Sequence, residues 1–150
     1  MTTSEARSTE SIRDRLAADH VRLDALFADV LQRLALNDRE ETRAAWNEFD
    51  RALNDHLEAE ETLILPAFAV DHPDEASSIR AEHEKIRAQL LDLGVAVDLH
   101  FIREDVAEDF VRTLREHAHR EDAMMYRWAE QHLENAVRTA IVRRLWTRSV

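Results

Sequence analysis

His56-Leu57-Glu58-Ala59-Glu60-Glu61 is echoed later in the chain by His117-Ala118-His119-Arg120-Glu121-Asp122, and each copy sets an imidazole four residues ahead of a carboxylate that a second acid follows. On a helix of about 3.6 residues per turn, that spacing stacks His and Glu one turn apart on one face. The neighbours at the same period are apolar. Trp46, Phe49 and Leu53 lead into His56 and Glu60, with Leu63 beyond; Val106, Phe110 and Leu114 lead into His117 and Glu121, with Met124 and Trp128 beyond. Each copy therefore belongs to the buried stripe of an amphipathic helix.

Two further stripes carry one histidine each. Ile12, Leu16, His20, Leu23, Phe27, Val30 and Leu34 step by three or four, as do Ile79, His83, Ile86, Leu90, Leu93 and Val97, the latter crossing the chain's single glycine, Gly94. Breaks separate the four stripes. Asn37-Asp38 interrupts the first, and Asp38 with Glu41 resembles a capping box that opens the second. Pro66 marks the end region of the second helix, Pro73 reads as the first turn of the third, and the stretch between them is expected to be a loop. A turn is placed near Asp98 to Phe101. The expected fold is all-α, an antiparallel up-down four-helix bundle over residues 11–132. A polar tail (residues 1–10, with Ser8 or Thr9 as a helix cap) precedes it. An amphipathic basic helix (133–150, with Arg138, Arg143, Arg144 and Arg148) follows, to pack on the bundle or on a partner.

In an up-down bundle, residues of successive helices share a level when the turn falls midway between them. The midpoints of His20 and His56, of His56 and His83, and of His83 and His117 are 38, 69.5 and 100. Each falls at a break inferred independently from turn chemistry or lost periodicity. His20, His56, Glu60, His83, His117 and Glu121 are thus expected to meet in one layer of the core, as metal ligands. A buried carboxylate without a partner costs several kcal/mol, roughly, or is forced neutral, and a cation relieves that cost. A lone core histidine is usually a satisfied structural residue, and a polar core can merely fix register. Six such residues at matched depth point to metal.

The chain contains no cysteine, so any metal must sit on nitrogen and oxygen, which suits iron, manganese or zinc. Two carboxylates and four imidazoles suit two ions bridged by Glu60 and Glu121, with His20 and His56 on one and His83 and His117 on the other. A formal charge of −11 argues against a nucleic-acid partner. No apolar run approaches a membrane span and the N-terminus lacks signal-peptide features, so a soluble, cytoplasmic protein is expected.

These residues resemble the hemerythrin-like, HHE cation-binding family. The shared pattern is an early His, then HxxxE with a second acid and Leu65-Pro66 nearby, then Glu82-His83, then HxxxE again, over roughly residues 12 to 130. Ferritin-like bundles use the reverse Glu-x-x-His order. The resemblance implies a non-haem di-iron centre with bridging carboxylates, iron being preferred over manganese or zinc. Relatives bind or sense dioxygen, handle iron, or react with peroxide or nitric oxide. Oxygen carriers place a further His one turn before the third-helix His, where this chain has Ile79, and they end on a five-residue His-to-Asp step. The bacterial subset with the pattern H, HxxxE, H, HxxxE is closer.

That leaves the ion at His83 and His117 short of a protein ligand, and an open position invites peroxide, dioxygen or nitric oxide. A catalase- or peroxidase-type oxidoreductase is one reading; a sensor or storage module without turnover, signalling through a protein partner or a homodimer at the C-terminal helix, is the other. Tyr126, five residues past Glu121 and so about 140° round an α-helix, is expected at the bundle rim. Glu58 and Glu61 flank the site, and His72, His100, His119 and His132 lie off its layer.

Overall fold

The computed structural model describes residues 11–146, and every regular element within them is helical. The expected tail at residues 1–10, its cap at Ser8 or Thr9, and residues 147–150 lie outside the described residues. Helix α1 (Ile12–Ala35) begins at Ser11, whose hydroxyl accepts the Asp14 N–H at 3.1 Å. Helix α2 (Arg39–Leu63) opens at Asp38, whose carboxylate accepts the Glu41 N–H at 3.0 Å, as the capping pattern requires. Between these helices Asn37 takes a left-handed φ of 59°, which asparagine tolerates.

The stretch expected to be a loop between the two prolines is instead a short helix, α3 (Leu65–Asp71). The second helix does end just before Pro66, at Leu63, and Pro66 then sits in the first turn of the next, since proline lacks only the N–H that a first helical turn leaves unbonded. The short helix buries Leu65 and Phe68 completely. Pro73 then opens α4 (Pro73–Asp98), as expected. Helix α5 (Glu104–Arg120) is followed without a break by a π-turn (Glu121–Met125) and by α6 (Tyr126–His132). Helix α7 (Asn135–Trp146) packs on α2, burying Ile141 and Leu145, and its Arg144 reaches Glu58 at 3.0 Å.

Contacts run from α1 to α2, from α2 to α4, from α4 to α5 and from α5 back to α1, a closed ring that makes the molecule a helical bundle. Its core is two apolar clusters. One holds Leu16, Ala59, Ile79 and Met125; the other holds Leu23, Leu53, Ile86 and Phe110. Along each long helix the polar core residues fall between a member of one cluster and a member of the other, so the polar layer is walled by hydrocarbon on both sides.

The fourth stripe needs correction at two places. Val106 and Met124 are 42% and 41% exposed, whereas their neighbours Ala107 and Met125 are buried. At Met124 the cause is the π-turn, which inserts one residue per turn and moves every later residue back by one position on the helix face. No helix among the described residues is long and apolar enough to cross a membrane.

Candidate metal centre

The structure brings all six expected positions together. Helix α1 supplies His20, α2 supplies His56 and Glu60, α4 supplies His83, α5 supplies His117, and the π-turn supplies Glu121. They form two overlapping groups, His20, His56, Glu60 and Glu121 in one and Glu60, His83, His117 and Glu121 in the other, with ligand atoms within 4.8 Å of each other in each group. Both glutamates are shared. Glu60 turns Oε2 toward Nε2 of His56 and Oε1 toward Nε2 of His83, each at 3.1 Å. Glu121 turns Oε1 toward His20 at 3.1 Å and Oε2 toward His83 and His117 at 3.1 and 2.9 Å. Each carboxylate thus gives one oxygen to each group.

The outer nitrogens of three imidazoles meet carboxylates. Nδ1 of His56 donates to Asp19 at 2.6 Å, Nδ1 of His83 to Glu61 at 2.7 Å, and Nδ1 of His117 to Glu82 at 2.7 Å. An arginine holds each acid in turn: Arg22 on Asp19 at 2.9 Å, Arg87 on Glu61 at 2.7 and 2.8 Å, and Arg120 on Glu82 at 2.8 Å. Because an ionised carboxylate only accepts, the proton of a neutral imidazole stays on Nδ1 and the Nε2 lone pair faces inward.

That inward geometry tests whether a cation fits. Neutral imidazole lone pairs would face carboxylate lone pairs across the layer, and Glu60 Oε1 and His117 Nε2 are buried without a hydrogen-bond partner despite their close neighbours. Convergent, buried acceptors, two of them unpartnered, suit a cation in their midst. Without one, protons must serve. Burial opposes charging His83, but its bonds to Glu121 and Glu60 push it up to about 10; against the same burial, His56 is raised by Glu60 and Asp19, and His117 by Glu121, Glu60 and Glu82. Burial likewise opposes ionising Glu121, yet His117, His20 and His83 hold it well below the usual carboxylate range.

Tyr126 is not at the rim. It is fully buried, and its hydroxyl lies 3.0 Å from His20 Nε2, 3.2 Å from His56 Nε2, 3.0 Å from Glu121 Oε1, and in a short contact with Glu60 Oε2. The α-helical expectation of 140° fails because the Tyr126 N–H bonds to the carbonyl of Glu121, five residues back, which wraps five residues into about one turn. Burial, with Glu121 and Glu60 beside it, pushes the phenol well above its ordinary value. All its partners belong to the His20 and His56 group, so Tyr126 does not fill the position that Ile79 leaves beside His83. Ile79 is itself fully buried in the apolar cluster below the layer.

Sequence reasoning missed Asp19 and the pairing of Glu82 with His117, while Glu61 does flank the site. The available signal for Asp19 and Glu82 was their place immediately before His20 and His83. Neither bonds the histidine next to it, and each reaches across to another helix. The remaining histidines, His72, His100, His119 and His132, are in neither ligand group.

A family model described as the hemerythrin HHE cation binding domain matches residues 11–129. No curated protein and no solved structure matches the chain.

Proposed function

The chain belongs to the hemerythrin HHE cation-binding family, and from that premise we propose that it is a non-haem di-iron protein that reacts with peroxide, dioxygen or nitric oxide, as a catalase- or peroxidase-type oxidoreductase. His20, His56, Glu60, Glu121 and Tyr126 would hold one ion and His83, His117, Glu60 and Glu121 the other, within an antiparallel up-down arrangement of α1, α2, α4 and α5. The observation that carries this reading is the sharing of Glu60 and Glu121, each with one oxygen turned to each group of imidazoles. Nitrogen, carboxylate and phenol donors without thiolate suit iron. When bound, iron supplies Lewis-acid and redox chemistry.

The two groups are unequal. Five side chains serve the first and four the second, so the second keeps room for an exogenous ligand, as a reactive site must. Asp19, Glu61 and Glu82 hold their imidazole rings in one orientation and one tautomer. Before an ion binds, Tyr126 holds a proton between Glu60 and Glu121, and as a ligand it would give that proton up. The apolar clusters wall the layer with hydrocarbon on either side.

Metal analysis with an optical spectrum tests the reading. Two irons per chain and a visible ferric absorption are expected; zinc alone, or one ion per chain, overturns the di-iron assignment. Purified iron-loaded protein should evolve oxygen from hydrogen peroxide faster than matched free iron. If it does not, the catalase reading is dropped, and ligand-dependent changes without turnover would favour a sensor or store.

A further inference from the structure

An apolar cavity of about 200 Å³ abuts the polar layer on the side away from Tyr126. Its floor is the imidazoles of His20, His56 and His117, and its walls are Leu23, Leu53, Leu57, Ile86 and Leu114, drawn from all four long helices. Toward solvent it is bordered by Asp24 and Arg115, an exposed ion pair at 3.0 Å that joins α1 to α5. Val21, Ala118 and His119 also line it.

Size separates two kinds of occupant. Hydrogen peroxide, dioxygen and nitric oxide are each close to water in size, which takes about 30 Å³ of liquid. The cavity is several times larger than any of them needs. An engineered aliphatic cavity of about 150 Å³ stays dry and binds benzene. The chemistry of the walls agrees, because five aliphatic side chains offer nothing to a small polar molecule, and the ring nitrogens of His56 and His117 are already taken by Asp19, Glu82 and the two shared glutamates, so the floor presents ring carbons.

We propose that this cavity binds a small neutral organic molecule, with an apolar body the size of one aromatic ring against the aliphatic walls and its one oxygen function left at the mouth, beside Asp24 and Arg115. The exposed Asp24–Arg115 pair is weak enough in water to part when such a molecule enters. This binding goes beyond the metal reading and does not depend on which ion the layer holds. It does mean that the site takes an organic ligand or substrate next to its metal, in addition to any small oxidant.

Benzyl alcohol is a suitable probe. Added to the purified full-length chain, as isolated and again after chelation, it should shift the methyl resonances of Leu53, Leu57 and Ile86 saturably and raise the unfolding temperature. Methanol at equal concentration should do neither. Ala118→Phe, which fills the cavity from its edge, should abolish both effects, and Leu114→Phe serves if that variant does not fold. No saturable shift in the wild-type chain overturns the proposal. So does an equal response to methanol, or a response that survives the cavity-filling variant. Because the readout needs no turnover, a failed peroxide assay leaves this result standing, and a failed probe experiment leaves the metal assignment untouched.

Discussion

The hydroxyl of Tyr126 lies 3.0 Å from Oε1 of Glu121, five residues earlier on the same continuous helical run, because the segment between them is a π-turn rather than an α-turn. An extra residue per turn is costly in isolation and is concentrated at functional sites. Here it lets one helix present His117, Glu121 and Tyr126 to the same small volume, where Glu121 belongs to both candidate ligand groups.

Tyr126→Phe keeps the ring in its apolar surroundings and removes only the hydroxyl. If the phenol ligates iron, ferric protein should lose a visible charge-transfer band while retaining both ions. Leaving Glu60 and Glu121 without this donor should cost about 1–3 kcal/mol in the metal-stripped chain. An unchanged spectrum would remove Tyr126 from the ligand set.

Deleting Met124, which is 41% exposed, should be tolerated. The deletion converts the π-turn into an ordinary α-turn, puts Tyr126 four residues after Glu121, and leaves Trp128 and Ala129 on their present face. Deleting Thr113, inside α5, rotates everything beyond it by about 100° and should abolish folding. Circular dichroism and thermal melts distinguish the two, and equal damage from both would contradict this account.

Asp19 is 1% exposed and holds Nδ1 of His56 at 2.6 Å. Asp19→Ala frees that ring and should weaken metal binding about 10- to 100-fold, measured by competition with a chelator. Glu82→Ala, at the more open His117, should do less. The reverse ranking would mean that burial of the supporting acid does not set its effect.

The pH dependence of the metal-stripped chain follows from the histidines. His83 is raised to about 10, and His56 and His117 are also raised, against about 6.5 for unfolded histidine. A raised folded-state value stabilises fully below about 6.5, and the contribution is lost as pH climbs through 10. Denaturation midpoints of stripped protein should therefore fall over that window. Loading a divalent ion displaces the same protons, so near pH 8 uptake should acidify a weakly buffered solution. Uptake without proton release would place the ion elsewhere.

Ile79→His puts an imidazole one turn before His83, within the less completely furnished group. The variant should bind iron and turn over peroxide more slowly than the parent chain, since the added ring occupies the position left for an exogenous ligand. Faster turnover would show that openness at this ion is not what the reaction needs.

Much of this protein is written locally. Hydrophobic period places the long helices, Asp38 and Pro73 mark two of their starts, and midpoint arithmetic sets six polar residues at one depth, because regular helices advance by a constant rise. That constancy is also where the reading stops. The α-turn arithmetic sends Tyr126 to the rim and Met124 to the core, and only the i to i+5 bond from Tyr126 to Glu121 reverses both. Pro66 marks the end of the second helix in the sequence, but the helix that follows it in place of a loop is set by the burial of Leu65 and Phe68 against the bundle. The pairing of Asp19 with His56, and of Glu82 with His117, joins residues on different helices. Residue types and their spacing determine which side chains share a depth; which nitrogen faces which acid depends on how the helices are rotated against one another, and packing alone sets that.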